Sequence, residues 1–233
     1  MCTEIDSKSK IDPNLAETIG ILEKNNIQYW LCHGTLLGIV RDNELIPWDT
    51  DIDIGVWYSK NLNEKLKTIM TDHEYKQKPK YMIKDDLLTF VKEGGREVDI
   101  NCYQEKEINN LEHIAYVKLS VPKNSFCKII DALSVAKNYK GKYRILINRL
   151  EILSNFFTNC RMFLINKNLF YKNIGYTLPL ILFKNLKKIK FKNILVTVPL
   201  ETEKYLSYTY GENWRTPNKN YNWIKDSPAT KDV

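Results

Sequence analysis

The string Ile46-Pro-Trp-Asp49-Thr-Asp51-Ile-Asp53-Ile-Gly55 constrains this chain more than any other segment. From Asp51 onward acids alternate with aliphatic residues, the period-two signature of a strand with one polar and one core face. Asp51 and Asp53 then project from the same face, ~7 Å apart at their Cα atoms. Ile52 and Ile54 point the other way, into the core, which stiffens the strand and preorganises the carboxylates. Two carboxylates held so close repel unless a cation neutralises them or one binds a proton. Hard oxygen ligands of this kind suit Mg²⁺ or Mn²⁺, above all where substrate phosphates complete the coordination. The plain alternative is an edge strand whose acids face solvent.

The surrounding sequence supplies context. Asp12 followed by Pro13 starts a helix with apolar Leu15, Ile19 and Leu22 at helical spacing, closed by Asn25-Asn26. Ile27 to Cys32 reads as a short buried strand, and His33-Gly34-Thr35 as a tight turn into a short helix, Leu36 to Val40, followed by a loop over 41–50. Such a turn offers backbone N–H groups and the positive end of a helix dipole to phosphate. Residues 61–71 predict a helix, and Leu87 to Lys92 and Glu97 to Tyr103 two strands joined by Glu93-Gly94-Gly95. The second strand carries another acid, Asp99, in Glu97-Val98-Asp99-Ile100-Asn101. From Ser125 the pattern turns helical, with Leu150, Leu153 and Phe157 on one face, and 159–192 carries no clear boundary. Thr197 to Pro199 ends a strand, Glu201 to Tyr210 predicts a helix closed by Gly211, and Trp223 anchors a loop-like tail. The expected fold is α+β, a mixed sheet flanked by helices with a basic, largely helical insertion. Its expected divisions are a catalytic core over 1–124, the insertion over 125–192, and a C-terminal segment over 193–233 that packs back on the core.

Composition narrows the class. With 233 residues, 43% hydrophobic and 27% charged, the chain is neither collagenous, coiled-coil nor disordered. No stretch reaches the ~18 apolar residues of a membrane span, and the N-terminus lacks a secretory pattern. Five cysteines (Cys2, Cys32, Cys102, Cys127, Cys160) without C-x-x-C spacing argue against a disulfide framework or structural zinc and for a reducing compartment. The expected location is cytoplasmic, peripheral to the inner membrane face. The net charge of +7 is uneven: Lys137 to Lys192 holds thirteen Lys or Arg against one acid, Glu151, whereas the remainder holds 22 basic and 27 acidic residues. That block points to a polyanionic partner, or else to a solvated basic face. Within it Lys187, Lys188, Lys190 and Lys192 suit anionic lipid or glycan, the alternative being an exposed helix end.

The run His33-Gly-Thr-Leu-Leu-Gly38, then Arg41, then Ile46-Pro-Trp-Asp49-Thr-Asp51-Ile-Asp53, resembles the signature of the LicD/fukutin-type phosphotransferases of the nucleotidyltransferase superfamily. Val98-Asp99-Ile100 matches their third carboxylate, and Pro199, Tyr205-Leu206, Tyr210-Gly211, Trp214 and Pro217 match a distal element. The animal branch's zinc-holding cysteine cluster is missing, so the resemblance is closer to bacterial members. The resemblance implies transfer of a phospho-alcohol such as phosphocholine, or a phosphonate, from a cytidine-nucleotide donor to a sugar hydroxyl of a surface glycan or its lipid-linked precursor. It implies catalytic and metal-binding roles for Asp51, Asp53 and Asp99, with Mg²⁺ (or Mn²⁺) as cofactor, and leaves open whether Asp99 is a ligand or the general base. His33, Gly34, Thr35, Arg41 and Asp49 fall on the donor side. Arg41 could clamp phosphate or pair with Asp42 or Glu44, and His33 could simply be a satisfied turn histidine. Two other functions compete: a nucleotidyltransferase using a nucleoside triphosphate, and a nucleic-acid-binding module. The last ranks lowest, because clustered acids beside a phosphate path are a liability unless catalytic.

Overall fold

The computed structural model describes residues 11–78, 86–108, 112–134 and 141–232. Cys2 and the block's first lysines, Lys137 and Lys140, lie outside the described residues. The chain forms two compact units. The first holds the described residues up to 78, from 86 to 117 and from 175 to 231, and the second those from 118 to 174 together with 232. Residues 175–192 of the basic stretch thus fold with the first unit.

Chain order begins α1 (Pro13–Lys24), β1 (Trp30–Leu31), α2 (His33–Asp42), β2 (Asp51–Trp57), α3 (Lys60–Asp72), β3 (Lys76–Gln77), β4 (Leu87–Val91) and β5 (Glu97–Ile108). Asp12 caps α1, its carboxylate accepting from the N–H groups of Asn14 and Leu15, as the Asp-Pro start predicts. Helix α2 begins at His33, three residues before the expected Leu36, and ends at Asn43 in a left-handed conformation. Strand β1 pairs only at Trp30 and Leu31, antiparallel to β2. The Trp30 indole lies over Gly55, where a Cβ would come within 2.3 Å of its Nε1, so only glycine lets the strands approach there.

Strand β2 runs parallel to β5, with Asp51 opposite Glu97, Asp53 opposite Asp99 and Trp57 opposite Tyr103. Strand β4 returns antiparallel on the other side of β5 through the Glu93-Gly94-Gly95 turn, setting Thr89 opposite Asp99. One face of β2 and β5 carries Ile52, Ile54, Val98 and Ile100, all fully buried; the other collects the acids. Helix α1 packs on β5 and buries Leu15, Ile19 and Leu22, and α3 buries Leu66 and Met70; each large side chain so buried contributes about 1.5–3 kcal/mol. Asn14 of α1 donates to the carbonyls of Lys92 (2.9 Å) and Arg96 (2.8 Å), tying the helix to both ends of the β4–β5 turn.

Strands β6 (Glu112–Pro122) and β7 (Tyr171–Pro179) carry the chain into the second unit and back, giving a strand order β1-β2-β5-β6-β7, continued by the last strand of the chain over Thr230–Asp232, with β4 and β3 branching from β5. Between them lie α4 (Ser125–Ser134), α5 (Arg144–Asn148), a 3₁₀ turn over Arg149–Leu153, and α6 (Ser154–Asn166). The second unit's core is small: Cys127, Ile130 and Phe170, with Phe157, Leu164, Ile165 and Tyr171 packed around them. Helix α7 (Ile181–Lys184) then leads to the hairpin of β8 (Leu186–Phe191) and β9 (Ile194–Pro199). The last elements are α8 (Thr202–Tyr210), α9 (Trp223–Asp226) and β10 (Thr230–Asp232). Lys187, Lys188 and Lys190 lie on strand β8, with Lys192 in the turn that follows, rather than on a helix end. Lys188 pairs with Glu23 at 2.7 Å, and Lys192 with Glu44. Gly211 closes α8 at φ +83°, and Trp223 stacks on Tyr176 with ring centroids 5.4 Å apart, the anchor expected of the tail. Cys32, Cys102, Cys127 and Cys160 form no disulfide among the described residues.

Candidate active site

The acids converge because a parallel register puts them on one face. Asp49, Asp51 and Asp53 each offer an oxygen within 4.8 Å of the others, a grouping that could hold a metal ion. Asp99 stands opposite Asp53 on the neighbouring strand and accepts a 2.6 Å hydrogen bond from Thr89 Oγ1. Glu97, at the edge of the same face, pairs with Lys78. Asp49 therefore belongs with Asp51 and Asp53, while Asp99 is oriented by a separate partner.

The turn into α2 holds this cluster from the helix side. Gly34 N–H donates to Asp53 Oδ2 at 3.1 Å, and the Asp53 N–H donates to Thr35 Oγ1 at 2.8 Å. A Cβ on Gly34 would lie 2.2 Å from Asp49 Oδ2 and 3.5 Å from Asp53 Oδ2, so the two carboxylates sit against a bare α-carbon. The Ile46-Pro47-Trp48-Asp49 loop is held at Ile46 O by Arg96 Nη1 (3.0 Å), and the Arg96 N–H in turn donates to Asp12 Oδ2 (3.2 Å). Lys219 lies 5.0 Å from the ring centroid of the exposed Trp48.

The electrostatics follow from crowding. Burial first, and then the neighbouring Asp51, push Asp49 up to about 7. Burial pushes Asp53 well above the usual carboxylate range, and Asp51, Asp99 and Asp49 raise it further against the Gly34 N–H. Asp99 is raised to about 6, mainly by burial, with Asp51 and Glu97 adding and the Thr89 hydrogen bond opposing.

Two donor-side residues have intramolecular partners. Arg41 makes a bidentate pair with Asp42, its Nη2 2.7 Å from Oδ2. His33 is 5% exposed at φ +44°, its Nε2 3.2 Å from the Tyr103 hydroxyl and its ring centroid 4.0 Å from that of Tyr176. Burial depresses it to about 3, so the ring is neutral. Among the described residues its Nδ1 has no partner. Sequence reasoning missed Thr89, although counting back across the Gly94 turn from Asp99 reaches it. Arg96 and Tyr103, which frame the loop and the His33 turn, left no local signal, whereas Tyr205, whose hydroxyl accepts from the His33 N–H, belongs to the distal element already noted.

A D-x-D strand thus lies beside a third aspartate, with the N-terminus of α2 against it. Residues 26–95 match the family LicD/FKTN/FKRP, nucleotidyltransferase domain, a likeness that takes in α2, the Asp49–Asp53 loop and strand, and α3. An uncharacterized protein of Rickettsia typhi is 37% identical over 102 residues, 44% of this chain and 31% of that protein. Ribitol 5-phosphate transferase FKRP of Homo sapiens is 46% identical over 39 residues, 17% of this chain and 8% of that protein. Ribitol-5-phosphate transferase FKTN of Mus musculus is 25% identical over 211 residues, 89% of this chain and 33% of that protein. The matches thus span about a third or less of each of these relatives.

Proposed function

We propose that this chain is a phosphotransferase that moves a phospho-alcohol or phosphonate group from a cytidine-nucleotide donor to a sugar hydroxyl of a glycan or its lipid-linked precursor. The observation that carries the reading is the aspartate cluster in a chain whose relatives include two ribitol-phosphate transferases. A group of carboxylates crowded enough to raise Asp49 and Asp53 suits a hard divalent cation, Mg²⁺ or Mn²⁺, held by Asp51 and Asp53 with Asp49 beside them. Such an ion, when bound, neutralises charge on the donor diphosphate.

The chain's own residues do the rest. Gly34 and Thr35 fix Asp53, and Arg96 fixes the loop that presents Asp49. Thr89 aims Asp99, the group we assign as general base toward the acceptor hydroxyl. With a cytidine-diphosphate alcohol, the acceptor oxygen bonds to the distal phosphorus as the bond to the bridging oxygen breaks. Cytidine monophosphate leaves, and the hydroxyl proton passes to Asp99. Arg41 supplies a donor-phosphate contact by exchanging Asp42 for phosphate. The donor screen uses cytidine-diphosphate ribitol, glycerol and choline and cytidine-monophosphate phosphonates with Mg²⁺, read by mass spectrometry for cytidine monophosphate and modified glycan. Release of pyrophosphate from a nucleoside triphosphate, with none of these donors consumed, replaces this reading by nucleotidyl transfer.

A further inference from the structure

We infer that the second unit carries a membrane-docking face, built from α5, the 3₁₀ turn and α6, that binds bilayers rich in anionic lipid. This inference concerns a surface outside the aspartate site and holds whichever group is transferred. Nine of the eighteen exposed large hydrophobic side chains among the described residues fall within 143–163. Ile152 is 89% exposed and Ile145 71%, with Tyr143, Leu146, Phe156 and Phe163 also in solvent. Scattered surface hydrophobics are ordinary, but such a concentration in 21 residues marks an interaction surface. The same segment is cationic: Lys142, Arg144 and Arg149 are exposed, and the sequence places one acid, Glu151, between residues 137 and 192. Tyr143, Arg144, Ile145, Leu146 and Arg149 line one open groove of about 390 Å³, so cations and aliphatic side chains alternate around a single concavity.

That mixture selects the occupant. A second copy docking through the same face would set cationic surface against cationic surface, which costs affinity. A nucleic acid would use the guanidinium groups and could stack on Tyr143, but it gains nothing from Ile145, Leu146 or Ile152, which have no flat face to stack. An anionic bilayer uses both, with apolar side chains entering the acyl boundary and cations remaining among the headgroups. The lysines of β8, the other candidate surface, lack exposed aliphatic residues in such density, and two of the four nearby lysines are already paired with Glu23 and Glu44.

The test is co-sedimentation of the full chain with vesicles of equimolar phosphatidylcholine and phosphatidylglycerol. Wild type should bind them, and pure phosphatidylcholine only weakly. Ile145→Ser/Leu146→Ser/Ile152→Ser should lower partitioning by roughly tenfold or more, at both low and high salt. Arg144→Gln and Arg149→Gln should each lower it by about fivefold, and only at low to moderate salt. Lys187→Gln/Lys190→Gln should leave it unchanged. All these side chains are exposed, so far-UV circular dichroism and melting temperature should match wild type. The proposal is overturned if wild type does not bind, if the apolar triple variant binds as well as wild type, or if the β8 variant is the one that fails. It is equally overturned if sedimentation velocity without lipid shows a dimer that the triple variant dissolves, or if the face retains homopolymer RNA while ignoring vesicles.

Discussion

In the first unit the isoleucines of β2 are sealed and its aspartates gathered; in the second, Ile145 and Ile152 stand in solvent while Arg161 and Asp131 pair inside at 3.1 Å. Both arrangements run against the usual sorting of side chains, and each has a cost. Gathering like charges stores repulsion that a cation or proton can release. Leaving large apolar side chains outside forgoes burial that a partner surface can supply. On the two proposals made above, the first unit answers its crowding with an ion and the second its exposure with a surface.

The first way to sharpen the contrast concerns stability. Ile52 is 0% exposed on the core face of β2, so Ile52→Ala should cost about 3 kcal/mol by the transfer and cavity terms together. Urea denaturation measures this, and a loss below about 1 kcal/mol would mean that the first core is not sealed as described.

Next in size, Asp51→Asn and Asp53→Asn should each lower turnover by at least about 100-fold, because neutralising donor charge is worth several kcal/mol. In EDTA the melting temperature of Asp53→Asn should equal or exceed that of wild type, since the change removes a repelled charge and keeps an acceptor for Gly34 N–H. Wild-type turnover, or a destabilised fold, would refute the gathered-charge account.

Much of this first unit was readable beforehand, for local reasons. The Asp12 cap, the alternation in β2 and the turn at 93–95 are each decided within a few residues, and each formed as expected. The grouping of Asp49 with Asp51 and Asp53 depended on the loop held by Arg96 from across the sheet, a contact that no spacing announces. Strand β1 pairs over two residues, Trp30 opposite Gly55 and Leu31 opposite Ile54, and the partner strand that sets this extent lies more than twenty residues away in sequence. Strands β7 and β8 stayed hidden because lysine and asparagine interrupt their apolar residues, Gly175 lies within β7, and the propensity signal is correspondingly weak. The exposed face of the second unit was hidden for a different reason: apolar periodicity predicts burial, and here the core holds only part of it.

A smaller effect tests Thr89. Thr89→Val removes the 2.6 Å hydrogen bond that opposes the rise of Asp99, so turnover should fall about tenfold. The acid limb of the pH–rate profile should move upward, and Thr89→Ser should restore both. A merely structural threonine would alter stability without moving the profile.

Smaller still is the dependence of stability on pH. Asp49 and Asp99 are raised to about 7 and about 6 from 3.8, so the folded state binds their protons more readily than the unfolded chain does. Their stabilising contribution is present at low pH and lost as pH rises through those values. In EDTA, lowering pH from about 8 to about 6.5 should therefore stabilise the chain by about 1 kcal/mol, discounted for solvent screening of Asp49. Below that window His33 opposes the trend: burial holds it down at about 3, so the unfolded chain takes up the proton first and stability is lost as pH falls. Thermal melts across this range should rise with decreasing pH, less steeply below about 6.5 where His33 offsets one of the two aspartates, and excess Mg²⁺ should flatten the upper limb. A flat upper limb in EDTA would mean that the aspartates are not crowded.

The smallest effect completes the comparison with Ile52. Ile152→Ser changes the same side chain in the second unit, but at 89% exposure little transfer energy and no cavity are at stake. Its effect on the urea midpoint in the absence of lipid should stay within about 0.5 kcal/mol, against about 3 kcal/mol for Ile52→Ala. Two substitutions of one residue type would then differ several-fold in cost solely through what surrounds them. If Ile152→Ser instead destabilises by more than about 1 kcal/mol, this isoleucine is buried in solution by another part of the chain or by a second copy. Repeating the measurement over a range of protein concentrations separates those cases, because only burial against a second copy makes the loss depend on concentration.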